Sequence, residues 1–205
     1  MNTASAASVA SSRKTFLFGR QLRSSPASRM RHARREVNTV EGMKIELRML
    51  SPDDWQLWRS VRLAALAEAP DAFGSRLQDW ADAAEDRWRE RLTIPGAVDL
   101  VAIETETNAP VGMVTGTPDL QDCGRAQIIS MWVDPAARGR GVATTLITAV
   151  ARWAAREGAR ALTLSVMPNN DGARLTYERN GFTASPEPGD VLPDGRRELI
   201  MVRTL

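Results

Sequence analysis

One stretch constrains this chain more than any other: Trp132-Val133-Asp134-Pro135-Ala136-Ala137-Arg138-Gly139-Arg140-Gly141-Val142-Ala143-Thr144. It closes an apolar run over residues 128–133 that begins β-branched and carries no charge, which reads as a buried strand. Asp134 and Pro135 stop the run, because proline has no amide hydrogen for a strand ladder. Two glycines follow. Residues 142–157 then read as a helix, with Leu146, Ile147, Val150, Trp153 and Ala154 at helical spacing. Strand, glycine-rich loop and helix make an anion cradle: free amides at the helix start face the loop, and the helix dipole favours negative charge there. Arg138 and Arg140 add positive charge at the same place. The stretch should hold a phosphorylated ligand.

Two common phosphate loops are excluded. The chain has no Gly-Lys-Ser or Gly-Lys-Thr, so the lysine and hydroxyl of a Walker A loop are missing. Gly139-Arg140-Gly141 supplies a GxG, but Thr144 stands where the dinucleotide fingerprint needs its third glycine. A second element follows. Residues 162–166 read as a strand, and Asn170 opens a short helix on which Ala173 and Tyr177, four apart, share a face. Gly181 is a natural residue to end that helix, and Phe182 returns the chain to the core.

Arg138, Gly141 and Ala143 match Arg-x-x-Gly-x-Ala, Val133-Asp134-Pro135 matches a preceding Val-x-Pro, and residues 170–182 match Asn-x-x-Ala-x-x-x-Tyr-x-x-x-Gly-Phe. In these features the chain resembles the GNAT superfamily of N-acetyltransferases. The match is tight over residues 129–182 and looser over residues 44–205. The resemblance implies a mixed, mostly antiparallel central sheet flanked by helices. It implies acetyl-CoA as co-substrate and no metal. The loop Arg138, Gly139, Arg140, Gly141, Val142, Ala143 and Thr144 would bind the pyrophosphate. Met131, Trp132 and Val133 would run beside the pantetheine arm, with the Val133 amide offered to the thioester carbonyl. Asn170 would bond the pantetheine or a water, Ala173 would border the cofactor, and Tyr177, the only tyrosine, would protonate the departing sulfur. The acceptor would be a small-molecule amine or a peptide amine. An acyl-CoA-binding regulator without catalysis is the alternative, and the protein would be a monomer or homodimer.

The remaining chain sets limits. The 205 residues are enough for one or two domains. Residues 1–42 carry eight Arg and Lys against two Glu, so they are strongly basic, while residues 43–205 are net acidic. This boundary predicts a basic, disordered tail over 1–42 and a domain over 43–205, which the resemblance implies to be an N-acetyltransferase domain. Three readings of the tail stand side by side: a disordered tail or an over-called start with Met43 as the real initiator, an organellar transit peptide, or a nucleic-acid-binding arm. Nucleic acid is not expected as the domain's partner. No long apolar segment predicts a membrane span. The single Cys123 excludes an internal disulfide framework and points to a reducing, cytoplasmic setting. His32, the only histidine, falls in the tail, so neither a zinc site of Cys and His nor a Ser-His-Asp catalyst is available in the domain.

In order, the domain reads as a strand over 45–49, a helix capped by Ser51 with Pro52 and two acids behind it, a second helix over 83–92, paired strands over 99–104 and 111–116, the organising strand and helix, the 162–166 strand, the short helix, and a last strand over 198–205. This is a mixed α/β sheet covered by helices. Trp55, Trp58, Leu63 and Leu66 would line the first helix's buried face, with Trp88 and Leu92 inward on the second. Arg62 falls on the same face as the tryptophans. Its spacing suits an opening towards a ligand or, more ordinarily, an arginine lying along the core with its head in water. Direct transfer to an amine with a pKa near ~10 also needs a proton acceptor. Gln127, Ile128, Ile129 and Ser130 put no acid on the organising strand, which leaves ordered water, Glu104 or Asp122. Seven acids against three arginines between Glu68 and Glu90 would give either a cation-seeking rim or an ordinary solvated helix.

Overall fold

The structure, a computed structural model, describes residues 36–40, 43–192 and 194–205. The elements run β1 (Glu36–Val40), β2 (Met43–Met49), α1 (Trp55–Glu68), α2 (Glu85–Arg91), β3 (Val98–Glu104), β4 (Pro110–Pro118), β5 (Arg125–Val133), α3 (Val142–Arg156), β6 (Ala161–Val166), α4 (Asp171–Arg179), β7 (Thr183–Val191) and β8 (Arg197–Thr204). The described strands form a sheet in the order β1-β2-β3-β4-β5-β6-β8-β7. Every neighbouring pair is antiparallel except β5 and β6.

Alternation along the strands divides the core between the two faces of the sheet. On one face Leu146, Ile147, Val150 and Ala154 of α3 meet Val114, Val133 and Leu162. On the other, Trp58, Val61 and Ala65 of α1 and Trp88 of α2 meet Val101, Ile103 and Met113. The start of α1 follows its capping signal: the Ser51 amide and hydroxyl both donate to Asp54 Oδ2 at 2.8 Å. Among the described residues no helix is long and apolar enough to cross a membrane.

Two strands depart from the sequence reading. Glu36–Val40, placed in the tail by the charge boundary, forms β1 and pairs antiparallel with β2. Thr183–Val191, to which the sequence reading assigns no element, forms β7 although it contains Pro186, Pro188 and Gly189. It lies at the sheet's edge, where proline's missing amide costs no ladder bond. The rest of the expected tail lies outside the described residues.

The feature that shapes the sheet is a bulge. Between the pairs Met113–Trp132 and Thr115–Ile129, two steps along β4 are matched by three along β5. The extra residue falls at Ser130, which has a φ of 54°. β5 pairs with β6 only from Arg125–Ala161 to Ile128–Leu164, whereas β6 keeps its pairing with β8 as far as Val166–Leu199. The two central strands therefore part just where the bulge turns β5. A buried network pins it: Arg91 donates to Thr115 Oγ1 at 2.8 Å and Ser130 Oγ at 3.3 Å and pairs with Asp99 at 3.2 Å, and Thr115 Oγ1 also donates to Asp99. Such a left-handed serine costs about 1–3 kcal/mol and needs this support.

Candidate active site

Parting β5 from β6 leaves one strand edge facing open space. The Asp134 amide donates to Val111 O at 3.0 Å, on the β4 side. Neighbouring residues of a strand direct their amides to opposite edges, so the Met131 and Val133 amides face away from β4, into the gap. A cavity of about 630 Å³ fills this gap, with Met131, Trp132 and Val133 along one wall.

The loop after β5 forms the next wall. Asp134 Oδ1 accepts from the Ala136 amide at 2.8 Å and closes the turn around Pro135. Gly139 and Gly141 both lie in the left-handed region, at φ values of 76° and 78°, and Gly141 directly precedes α3. The first α3 bond of that turn runs from the Thr145 amide to Gly141 O at 3.1 Å. The amides of Val142, Ala143 and Thr144 thus have no acceptor within the helix, and all three residues border the cavity. Three convergent donors at a helix N-terminus fit a phosphate group.

α4 closes the opposite side. Asn170 Oδ1 accepts from the Ala173 amide at 3.1 Å, so its oxygen is committed as the helix cap and its Nδ2 remains to donate elsewhere. Ala173 and Tyr177 both border the cavity. The Tyr177 ring meets Phe182 edge-on at 5.9 Å, and the residue is 8% exposed. Burial pushes the phenol up to about 12, so the proton stays in place across the physiological range.

Of the residues expected here, Arg140 alone does not border the cavity. Arg138 does, but it is not a free cation. Its Nε donates to Val133 O at 3.0 Å and its Nη2 donates to Glu68 Oε2 at 2.6 Å. The same carboxylate oxygen accepts from Trp132 Nε1 at 3.0 Å. Glu68, at the last turn of α1, therefore clasps the organising strand and its loop together. The hydrogen bonds from Arg138 and then Trp132 hold its carboxyl below the usual range. Nothing local in the sequence marks Glu68, because its partners lie far along the chain. It supplies the cavity's one carboxylate among the described lining residues. Glu104 accepts instead from Thr107 at 2.6 Å in the β3–β4 turn, and Asp122 caps Gly124 at 2.8 Å and pairs with Arg125 at 3.2 Å. Neither reaches the cavity. Its last side, beyond Glu68, is Ala69, Ala72 and Phe73.

A parted pair of central strands, a donor-lined helix start and a buried phenol thus frame a single cleft. A profile described as "Acetyltransferase (GNAT) family" matches residues 61–182, and the chain belongs to that family. Among individual proteins it is 28% identical over 191 residues to the mycothiol acetyltransferase of Mycolicibacterium paratuberculosis, covering 88% of this chain and 56% of that one. The chain thus spans just over half the length of this curated relative. A solved GCN5-related N-acetyltransferase from Kribbella flavida superposes with a TM-score of 0.63 at 22% identity, over 78% of this chain and 98% of the other. The Salmonella typhimurium protein yncA, solved with its cofactor acetyl-CoA, superposes with a TM-score of 0.62 at 19% identity, over 78% and 94%. At these identities the two structures establish the shared fold.

Proposed function

We propose that the protein transfers an acetyl group from acetyl-CoA directly to a primary amine. The observation that carries this reading is the open edge of β5 set between the α3 amides and the Tyr177 phenol. Bound acetyl-CoA would supply an activated thioester. The amides of Val142, Ala143 and Thr144 hold pyrophosphate, and the outward edge of Met131 and Val133 pairs with the amide-bearing arm. The Val133 amide is aimed where a carbonyl oxygen gains charge, which needs no reorganisation at the moment of reaction. Attack by the neutral amine forms the C–N bond as the C–S bond breaks. Tyr177 gives its proton to the departing sulfur, and the amine's proton leaves through water, since Glu68 is held ionised by Arg138 and is a weak base.

The test is thiol release from acetyl-CoA with a panel of amines, amino acids, polyamines and peptides, run beside Tyr177→Phe. We expect turnover on one acceptor class and a loss of about 10²–10⁴-fold in kcat in the variant, with acetyl-CoA affinity retained. An unchanged kcat removes Tyr177 from the acid role. The lack of a free carboxylate among the described residues lining the cleft favours one second reading, an acyl-CoA-binding regulator. Tight acetyl-CoA binding with no turnover on any acceptor would establish it.

A further inference from the structure

The inward face of α1 carries a charge that the fold does not answer. Trp58 and Arg62 lie one turn apart on it, 0% and 8% exposed. Trp58 Nε1 and Arg62 Nη1 are both buried without a hydrogen-bond acceptor among the described residues. Arg62 has no ion pair there either; its guanidinium lies 4.5 Å over the ring of Phe73. A second guanidinium, that of Arg91, lies 4.8 Å over Trp58. Asp99 answers Arg91 at 3.2 Å, which leaves Arg62 as a surplus cation. Burial first, and Arg91 second, push Arg62 down to about 10, so it remains charged at neutral pH. The sequence reading of a head in water is thereby corrected: the head is inside.

An unpaired buried ion is costly, and an apolar side chain of similar volume would serve a purely structural role better. The location says what the charge is for. Phe73, the ring that covers Arg62, borders the same cavity as Val133 and Tyr177. One aromatic ring lies between the Arg62 guanidinium and that cavity.

We propose that Arg62 is a carboxylate subsite, with Trp58 Nε1 one turn away on α1 as a further unused donor, and that the acceptor is an amine that also carries an acid group. This rests on the acetyl-transfer reading. When the Phe73 ring turns aside, the Arg62 fork takes the acid in paired hydrogen bonds, the geometry guanidinium is suited to, and the amine at the other end of the acceptor is left near β5. The acid comes from a free amino acid or from the terminus or side chain of a peptide; the recognition chemistry is the same.

The deciding measurement is calorimetric binding of products, with CoA present. The panel pairs N-acetyl amino acids with their amides, and N-acetyl dipeptides with theirs. In the unaltered protein at least one acid binds about tenfold or more tighter than its amide. In Arg62→Gln that ratio falls towards one, and Arg62→Lys keeps part of it. Arg62→Met loses the ratio but unfolds at a higher temperature than the unaltered protein, which a residue needed for packing would not do. No acid preferred to its amide anywhere in the panel, or a ratio that survives Arg62→Gln, overturns the proposal. Turnover of the corresponding amines is scored separately. Transfer without acid preference sinks the subsite alone; acid preference without transfer sinks the enzymatic reading and keeps the subsite. Preference confined to the single amino acids, or to the dipeptides, identifies the source.

Discussion

Gly141 combines two demands in one position. Its φ of 78° admits glycine readily and a β-branched residue hardly at all, and the amides it introduces must stay open. Gly141→Val would strain the turn by more than the 1–2 kcal/mol or so of an ordinary left-handed residue and set a side chain beside the phosphate donors. We expect acetyl-CoA affinity by calorimetry to be lost. Unchanged affinity would end the assignment of this loop as the cradle. Tyr177 makes the complementary point: its ring is core, packed on Phe182, and the role proposed for it lies in the hydroxyl. Phenylalanine fills the same space, which is why its replacement should spare binding.

Between α1 and β5, Glu68 joins two elements through Arg138 and Trp132. The pair with Arg138 is half exposed, so its direct worth is small, but it ties down the loop proposed to hold the ligand. Glu68→Gln should weaken acetyl-CoA binding by up to about fivefold. Because the Glu68 carboxyl is held below its ordinary value of 4.5 in the folded protein, its stabilising effect is full above about pH 4.5 and fades as the pH falls through the lower folded value. Melting temperatures of the two proteins, compared from pH 7 downwards, should therefore converge below pH 4.5; a constant gap would mean that the carboxylate's charge is not what matters. This clasp was invisible in the sequence, since a glutamate that opens an acidic stretch reads as solvated. The turn into α3 was legible because glycine and proline punctuate it, and α4 because its spacing and Gly181 define a short helix. β7 was hidden by Pro186, Pro188 and Gly189, and the bulge at Ser130 by ordinary strand residues around it. Arg62's face was read correctly from periodicity, but periodicity does not say whether a long side chain reaches water.

At the level of the whole molecule, the sheet begins earlier than the charge pattern suggested. All eight basic residues of the first 42 precede Glu36, whereas β1 starts at Glu36 and pairs with β2. Removal of residues 1–35 and removal of residues 1–42 are thus different experiments. The longer deletion should melt lower than the shorter, by about 2–4 °C for each kcal/mol of lost strand pairing; equal melting temperatures would deny β1 a part in stability. The shorter cut alone tests the proposal of a nucleic-acid-binding arm, through loss of steep, salt-dependent DNA binding. The bulge has a consequence for how such a protein changes over time. An exposed strand edge recognises peptide groups and ignores side chains, so the half of the cleft built on β5 can keep its ligand while its sequence drifts. On the proposed acetyl-transfer reading, selection among acceptors then falls to α1 and the turn behind it. One half of the cleft is a fixed socket, and the other is free to be rewritten.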